Sequence, residues 1–433
     1  MAMDGKELVE KLAKLSQVQS IKDIPQLTHA LFPGTHCPLM GAAMAVGGIK
    51  DSLIVVVGTD ECTYYTKNMT IHSEKFGGIG GRCVSVVLDD HDVTFGSAEK
   101  VQEAFKEIIE EYRPQCVFLV TTCVIEIIGD DFDAISEGLS KLYGIPVLPV
   151  HTEHFKCEDH LPGLERTITV CAEMMKSCDC ENSVNLLGQR MGDFATTELY
   201  AMLQKAGVKI GLQLPCGCSV DDIKNAAAAK VNIVVNDIAL PLAQKMQEKF
   251  GIPYVYFNKF VIPEKIYEAY KNLFGYLELE LPGELEGLYQ NAREKIEKNK
   301  GELEGITYIY GNTPYAVFEM NCFLSSLGMV PQVIQTNRYT EADEPYAKEI
   351  LQYTDPYVCK AANIAPLQYV YDVLSPYLYL GHEFGNRLRQ KGIAIVHSDR
   401  ASGMLGFEVT GYLLQQLVKS VREAKEYRKE LGL

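Results

Sequence analysis

Apolar and polar positions alternate along the chain in two repeating patterns. Val101, Phe105, Ile108, Ile109 and Tyr112 recur at helical spacing with charged residues between them. Phe132, Ile135, Leu139 and Leu142 do the same behind Asp130 or Asp131, either of which can cap the helix start. Unbroken apolar runs, LIVVVG at 53–58 and VFLVTT at 117–122, read as buried strands. Five times a helical pattern ends at a glycine and an apolar run follows at once: Gly144 before IPVLPV, Gly207 before VKIGLQL, Gly251 before IPYVYF, Gly328 before MVPQVIQ and Gly392 before IAIV. Glycine just past a helix can adopt the left-handed conformation that closes it, and the cations Lys141, Lys205 and Lys249 suit the negative end of the helix dipole. Junctions of this kind predict βα units and parallel sheets.

The polar stretch 176–182 precedes a fresh strand, VNLLG. The charged run 282–305 reads as a solvated helix before the strand ITYIY. The chain is thus expected to form three Rossmann-like α/β domains with parallel sheets, at 1–180, 181–300 and 301–433, the first carrying the candidate site cysteines. No clear repeat or low-complexity segment is present. A length of 433 residues with 47% hydrophobic and 23% charged residues suits such a multidomain globular protein. No apolar run approaches the roughly 20 residues of a membrane span, and Asp4, Lys6, Glu7 and Glu10 interrupt the first segment, so neither a membrane protein nor a secreted one is expected. The net charge of −16 would repel a polyanion, which argues against nucleic acid as a partner.

Thirteen cysteines change this picture. Disulfide scaffolds compensate for small cores, which this chain does not have, so a reducing, cytoplasmic location with some thiolates on metal is the better reading. Ligands of open α/β sheets bind beyond the carboxyl ends of strands. Cys62 follows LIVVVGTDE and Cys123 follows VFLVTT, while Cys37 lies in the irregular loop Phe-Pro-Gly-Thr-His-Cys-Pro. The three are either metal ligands gathered from separate loops or small buried residues. Soft thiolates suit an iron–sulfur cluster, which normally takes four ligands. The close pairs Cys178/Cys180 and Cys216/Cys218 are weaker metal or redox candidates. Cys83, Cys116, Cys157, Cys171, Cys322 and Cys359 are expected to be ordinary. His151, His154 and His160 near Cys157 and Glu153 lack a metalloprotease spacing and suggest a solvated loop. There is no GxxxxGK[ST], and FGGIGGR at 76–82 does not give GxGxxG, so any ATP hydrolysis falls to a partner.

Four ordered motifs, HCPLMGA around Cys37, VGTDECTYYT around Cys62, DDHDVTFGSAEK at 89–100 and TTCVIEIIGDD around Cys123, resemble the N-terminal domain of the nitrogenase component 1 family. That family comprises nitrogenase molybdenum–iron protein subunits, cofactor-assembly scaffolds and dark-operative protochlorophyllide reductase subunits. Cys62 follows Cys37 by 25 positions and Cys123 follows Cys62 by 61, intervals like those of the family's cluster cysteines. Weaker similarity continues through GNTPYAVFEMNCFLSSLGM at 311–329 and LGHEFGNRLRQKGIAIVHSD at 380–399. The resemblance implies three α/β domains with metal sites between them. Cys37, Cys62 and Cys123 would hold an iron–sulfur cluster, 4Fe-4S or a larger P-cluster-like form, with a remaining ligand from a homologous second subunit or a second copy. An ATP-dependent iron protein would dock near Ile127 and Ile128, ringed by Glu126, Asp130 and Asp131.

The departures are informative. The family's α subunits anchor a molybdenum-type cofactor through a cysteine after a middle-domain strand and a histidine in the last domain. Here VNIVV (231–235) runs into Asn236 and Asp237, and His397 after IAIV either takes the histidine position or is a hydrogen-bonded structural residue. Dinitrogen reduction by that cofactor is therefore not expected. The reading is an oxidoreductase, the catalytic component of a nitrogenase-like two-component reductase acting on a second metal cofactor or on a tetrapyrrole-type substrate. The alternative is a scaffold for assembly of a nitrogenase-type cofactor.

Overall fold

The computed structural model describes residues 4–27, 36–71, 79–157, 159–190, 193–258, 260–311, 313, 315–360 and 364–433. Residues 32–35 of the loop before Cys37, residues 76–78 of the glycine-rich run and two residues of the GNTP segment lie outside them.

Three parallel sheets carry the fold, as the five glycine junctions predict; Gly144, Gly207, Gly251, Gly328 and Gly392 all have φ between 70° and 80°. The first sheet has the spatial order Cys83–Val87, Ser52–Gly58, Cys116–Thr121, Val147–Val150. Its centre is apolar on both faces, every residue of Ser52–Gly58 and Cys116–Thr121 being buried, as sheets covered by helices on both sides require. Helix Ala98–Tyr112 covers one face through Val101, Phe105 and Ile108, and helix Phe132–Tyr143 through Phe132 and Leu139. Asp131 caps the latter by accepting from the Ala134 amide at 2.9 Å. Leu142, placed on the inward pattern by its spacing, is 71% exposed, because it falls in the last turn beyond the edge of the sheet.

The second sheet runs Tyr254–Tyr256, Ala229–Val234, Glu181–Gln189, Lys209–Pro215, again all parallel. The third places Thr307–Tyr310 centrally, with Val330–Gln335 and Tyr357–Cys359 on one side and Leu378–Leu380 and Ala394–Val396 on the other. The charged run expected to be a solvated helix is helix Leu285–Leu303. The start of the chain joins this last sheet and not the first: Ala13–Lys14 pairs antiparallel with Tyr357 and Val358, Lys14 Nζ lies 3.7 Å from the centre of the Tyr357 ring, and Ser16 bonds Asp355. A two-residue strand carries no periodicity to announce it.

Shared cores join the sheets. One apolar cluster runs from Val184, Val231 and Val255 of the second sheet to Tyr308, Ile334 and Leu378 of the third. Another joins Ile54, Phe118 and Leu148 of the first sheet to Leu187, Leu214 and Val234 of the second. The almost wholly buried helix Pro38–Gly47 belongs to this second cluster. It meets helix Leu161–Val170 at two glycines with no room for a side chain: a Cβ on Gly41 would lie 1.9 Å from the His160 carbonyl, and one on Gly163 1.9 Å from the Pro38 carbonyl. Arg82 closes its other end, donating to the Gly47 carbonyl at 2.9 Å and the Ile49 carbonyl at 2.6 Å.

Candidate functional site

In the first sheet the strand order reverses direction between Ser52–Gly58 and Cys116–Thr121, so the crevice beyond their carboxyl ends is where such a sheet binds ligands. Cys62 follows the first of these strands, in the opening turn of helix Asp60–Ile71, and Cys123 follows the second, opening helix Cys123–Ile128. Gly58 and Thr122 stand side by side here: Thr122 Oγ1 donates to the Val57 carbonyl at 2.9 Å, and a Cβ on Gly58 would fall 2.1 Å from that oxygen. Cys37 arrives from a different direction as the N-terminal residue flanking helix Pro38–Gly47, whose placement the Gly41–Gly163 contact fixes.

All three thiols are half-buried, and Cys37 and Cys62 rest against the core cluster shared with the second sheet. Thr59 Oγ1 donates to Cys62 Sγ at 3.5 Å. Burial pushes the Cys123 thiol up, and the charges of Cys62 and then Cys37 push it further, while the amides of Val124 and Cys123 pull it back. Cys62 and Cys37 thus stand near enough to Cys123 for their charge to act on it. Among the described residues no three His, Cys, Asp or Glu side chains draw together as tightly as a single metal ion demands. The donors the sequence reading gathers at this crevice are sulfurs, the soft ligands that iron–sulfur groups take.

Two adjacent isoleucines beside Cys123 divide their roles. Ile127 is 71% exposed, and Ile128 joins the core of the first sheet. The acids expected to ring them are occupied. Glu126 accepts from Thr121 Oγ1 at 2.7 Å and from the Glu153 amide at 2.6 Å, and also holds the His154 amide. Asp130 accepts from the Ser97 amide and hydroxyl, and Asp131 caps the next helix. For Glu126 and Asp130 the partners Glu153, His154 and Ser97 lie 27–33 positions away, which is why the spacing alone suggested a rim of free charges. Tyr64, Tyr65, Phe95 and Phe155 are exposed elsewhere on the first unit.

The remaining cysteines separate by burial. Burial holds Cys83 at about 11 and pushes Cys116, Cys218, Cys322 and Cys359 to about 12, with Cys171 well above its ordinary value, so they stay protonated and inert. The pair Cys216/Cys218 is split, for Cys218 is fixed in a short strand beside Ile49 while Cys216 Sγ donates to the Arg190 carbonyl at 3.6 Å. Cys178 and Cys180 are exposed. His151 pairs with Asp133 at 3.1 Å, and the imidazole of His160 is pushed down by burial and by Arg190. Together with His154 and Cys157 they form no metal cluster among the described residues.

Polar groups meet again where the three units converge. Asn236, at the end of the Ala229–Val234 strand, uses its side chain to accept from the Ile238 amide at 3.2 Å. Burial pushes the Asp237 and Glu165 carboxyls up, against the pull of Arg338 on both. Glu319, 5% exposed, is pushed by burial up to about 7, with Lys265 opposing and Asp237 adding. His397 is exposed and lines a cavity at the carboxyl ends of the third sheet together with His382, Glu383 and Asp399. Those three were not singled out in the sequence, although GHE directly after the apolar strand LYL marks His382 and Glu383 as strand-end residues, as HSD after IAIV marks Asp399.

A family model described as nitrogenase component 1 type oxidoreductase matches residues 37–422. The nitrogenase iron-molybdenum cofactor biosynthesis protein NifE of Clostridium pasteurianum is 30% identical over 51% of this chain and 49% of its own length; the protein of the same name from Rippkaea orientalis is 25% identical over 73% of this chain and 69% of its own. The nitrogenase molybdenum-iron protein alpha chain of Methanosarcina barkeri is 25% identical over 72% of this chain and 62% of its own. The chain thus aligns with about half the length of the first of these relatives. The solved structure of nitrogenase Cp1 at pH 6.5 superposes with a TM-score of 0.76, covering 93% of this chain and 95% of that one at 15% identity, a likeness of fold.

Proposed function

The chain belongs to the nitrogenase component 1 family of oxidoreductases, and from that premise we propose that it is the catalytic-component subunit of a nitrogenase-like two-component reductase. Its electron donor is an ATP-hydrolysing iron protein, and Cys37, Cys62 and Cys123 are the protein ligands of an iron–sulfur cluster. The observation that carries this reading is that Cys62 and Cys123 open the helices following the two central strands at the reversal point of the first sheet, with Cys37 flanking the buried helix Pro38–Gly47. Bound there, the cluster supplies one-electron redox chemistry at a potential set by hydrogen bonding and burial. The chain's own part is to hold the thiols half-buried, to lend Cys123 its backbone amides and Cys62 the Thr59 hydroxyl, and to keep bulk water away through helix Pro38–Gly47. Three thiolates leave a four-iron cluster one ligand short, so a second copy or a homologous subunit completes it across a two-fold or pseudo-two-fold interface.

A molybdenum-type cofactor does not fit. Asn236 stands after the middle strand, where the family's α subunits place a thiolate, and its side chain is spent on its own backbone. A scaffold role is the second reading, favoured by the cofactor-biosynthesis names of several relatives. Anaerobic isolation followed by mixing with an iron protein and ATP separates the two. A reductase shows ATP-dependent bleaching and reoxidation of its cluster signal over repeated cycles, whereas a scaffold releases a metal cofactor to an apo-enzyme once.

A further inference from the structure

The second sheet has its own reversal point. Strand Glu181–Gln189 leads to Lys209–Pro215 on one side, and the chain then returns to Ala229–Val234 on the other, so the crevice of this sheet opens beyond the carboxyl end of Glu181–Gln189. Arg190 stands there. Cys216 directly follows the strand on one side of it. Asn236 follows the strand on the other, so close that a Cβ on Gly188 would fall 2.9 Å from its own Cβ. Met44 and Leu164 reach across from the first unit and close a small cavity with Arg190, Pro215 and Cys216, about 10 Å³, room for one water-sized atom at the guanidinium.

The charge of Arg190 is not answered by a neighbour. Among the described residues its guanidinium has no ion pair, and its Nε is buried without a hydrogen bond. Burial pulls its pKa down, and the charges of Cys216 and then Asp159 offset only part of that. Neither of those two neutralises it by contact. Asp159 accepts from the Leu161 amide at 2.8 Å, at the start of helix Leu161–Val170. Burial pushes the Cys216 thiol up against the pull of Arg190, which keeps it a neutral thiol. His160, the other titratable neighbour, is driven toward its neutral form by burial and by Arg190, with Asp159 opposing. A buried cation without a partner destabilises a fold, and an anion seated on it removes that penalty.

The cavity also has a fixed relation to Cys37. Cys37, Gly41, Met44 and Gly48 recur at spacings of four, three and four, which places them on one face of helix Pro38–Gly47 and its flanking residues. Close contact holds that face in place: Gly41 lies against the His160 carbonyl, Met44 lines the cavity, and a Cβ on Gly48 would fall 2.0 Å from the Pro215 carbonyl. At 1.5 Å per residue, the rise from Cys37 to Met44 is about 10 Å.

Resting on the reading of the chain as a reductase, we propose that Arg190 recognises its substrate, and that the substrate carries an oxyanion group, a carboxylate or sulfonate, one oxygen of which enters this cavity onto the guanidinium. Arginine's planar fork of N–H donors matches such groups. A substrate held there lies about two helix turns from Cys37, and a cationic one would meet an unpaired like charge.

The test follows the thermal midpoint of the anaerobically purified full-length protein in a low-salt zwitterionic buffer as sodium acetate, sodium methanesulfonate, sodium chloride or methylammonium chloride is added. The wild-type midpoint should rise saturably, by about 2 °C or more, with acetate or methanesulfonate. In Arg190→Met that rise should vanish, and without any anion the variant should melt as high as the wild type or higher, its unpaired charge being gone. Arg190→Lys keeps the charge without the fork and should need about tenfold more anion. No saturable rise with either oxyanion, an equal rise with chloride or methylammonium chloride, or a rise that survives in Arg190→Met would overturn the assignment. An Arg190→Met protein that melts lower or does not fold would do so too, by showing the guanidinium to be a structural partner. Iron content of the same samples separates the two readings: missing iron with a normal acetate response removes the cluster alone, and full iron with no response removes the oxyanion site alone.

Discussion

Single residues set the chemistry of this molecule through burial. Glu319 is the clearest titrating case. Its carboxyl moves from an ordinary 4.5 to about 7 because it is buried, with Lys265 offsetting only part of that and Asp237 adding to it. Between those two pH values the folded chain keeps a proton that the unfolded chain has released, so stability falls as pH rises through this window and is lower by about 3 kcal/mol above it. Thermal midpoints measured from pH 4 to 8 should decline in the wild type and flatten in Glu319→Gln; parallel profiles for the two proteins would remove Glu319 as the cause. Cysteine reactivity follows the same logic: iodoacetamide should label the exposed Cys178 and Cys180 in the native protein, while Cys116, Cys171 and Cys359 react only after unfolding. Cys62 and Cys123 were legible in sequence as strand-end residues. The grouping of His382 and Glu383 with His397 was not, because it depends on which strands become neighbours, and strand order is a property of the assembled sheet.

At the scale of elements, contacts between neighbours position the site. Helix Pro38–Gly47 can place Cys37 only while Gly41 lies against helix Leu161–Val170, so Gly41→Ala should cost about 1–3 kcal/mol by overpacking and lower the iron content with it. Equal stability and full iron in that variant would show that the helix can shift freely. The short helix Cys123–Ile128 offers a sharper contrast. Glu126→Ala removes the acceptor for the Glu153 and His154 amides and should cost about 1–3 kcal/mol. Ile127→Asp, one residue on, is at an exposed position and should leave the melting temperature within experimental error. In a reductase served by a docking iron protein, Ile127→Asp should abolish ATP-dependent reduction yet leave iron content and dithionite reduction intact; loss of the cluster would place Ile127 in the interior. Sequence periodicity found the helices and their glycine ends because those signals are local. It missed the inward turn of Glu126 and the antiparallel strand Ala13–Lys14, whose partners lie 26–28 and more than 300 positions away.

Three large, mainly parallel sheets dominate the described residues, and polar or sulfur-bearing side chains gather at their carboxyl ends: thiols at the first, carboxylates with Arg338 about the second, and His382, Glu383 and His397 at the third. Shared cores fix the units against one another, and helix Glu408–Leu431 adds to this where Thr410 donates to the Val261 carbonyl at 2.7 Å. In the proposed reductase this arrangement would carry electrons from one end to a substrate at another, and a cluster with three ligands per chain would draw its remaining ligand from a partner subunit. The claim on which all of this depends is that Cys37, Cys62 and Cys123 hold iron. Iron per chain, with the electron paramagnetic resonance spectrum of the reduced protein, should be measured after anaerobic purification of Cys37→Ala, Cys62→Ala, Cys123→Ala and the buried control Cys116→Ala. The account predicts loss of iron and signal in the first three and retention of both in the control; full iron in all three site variants would contradict it.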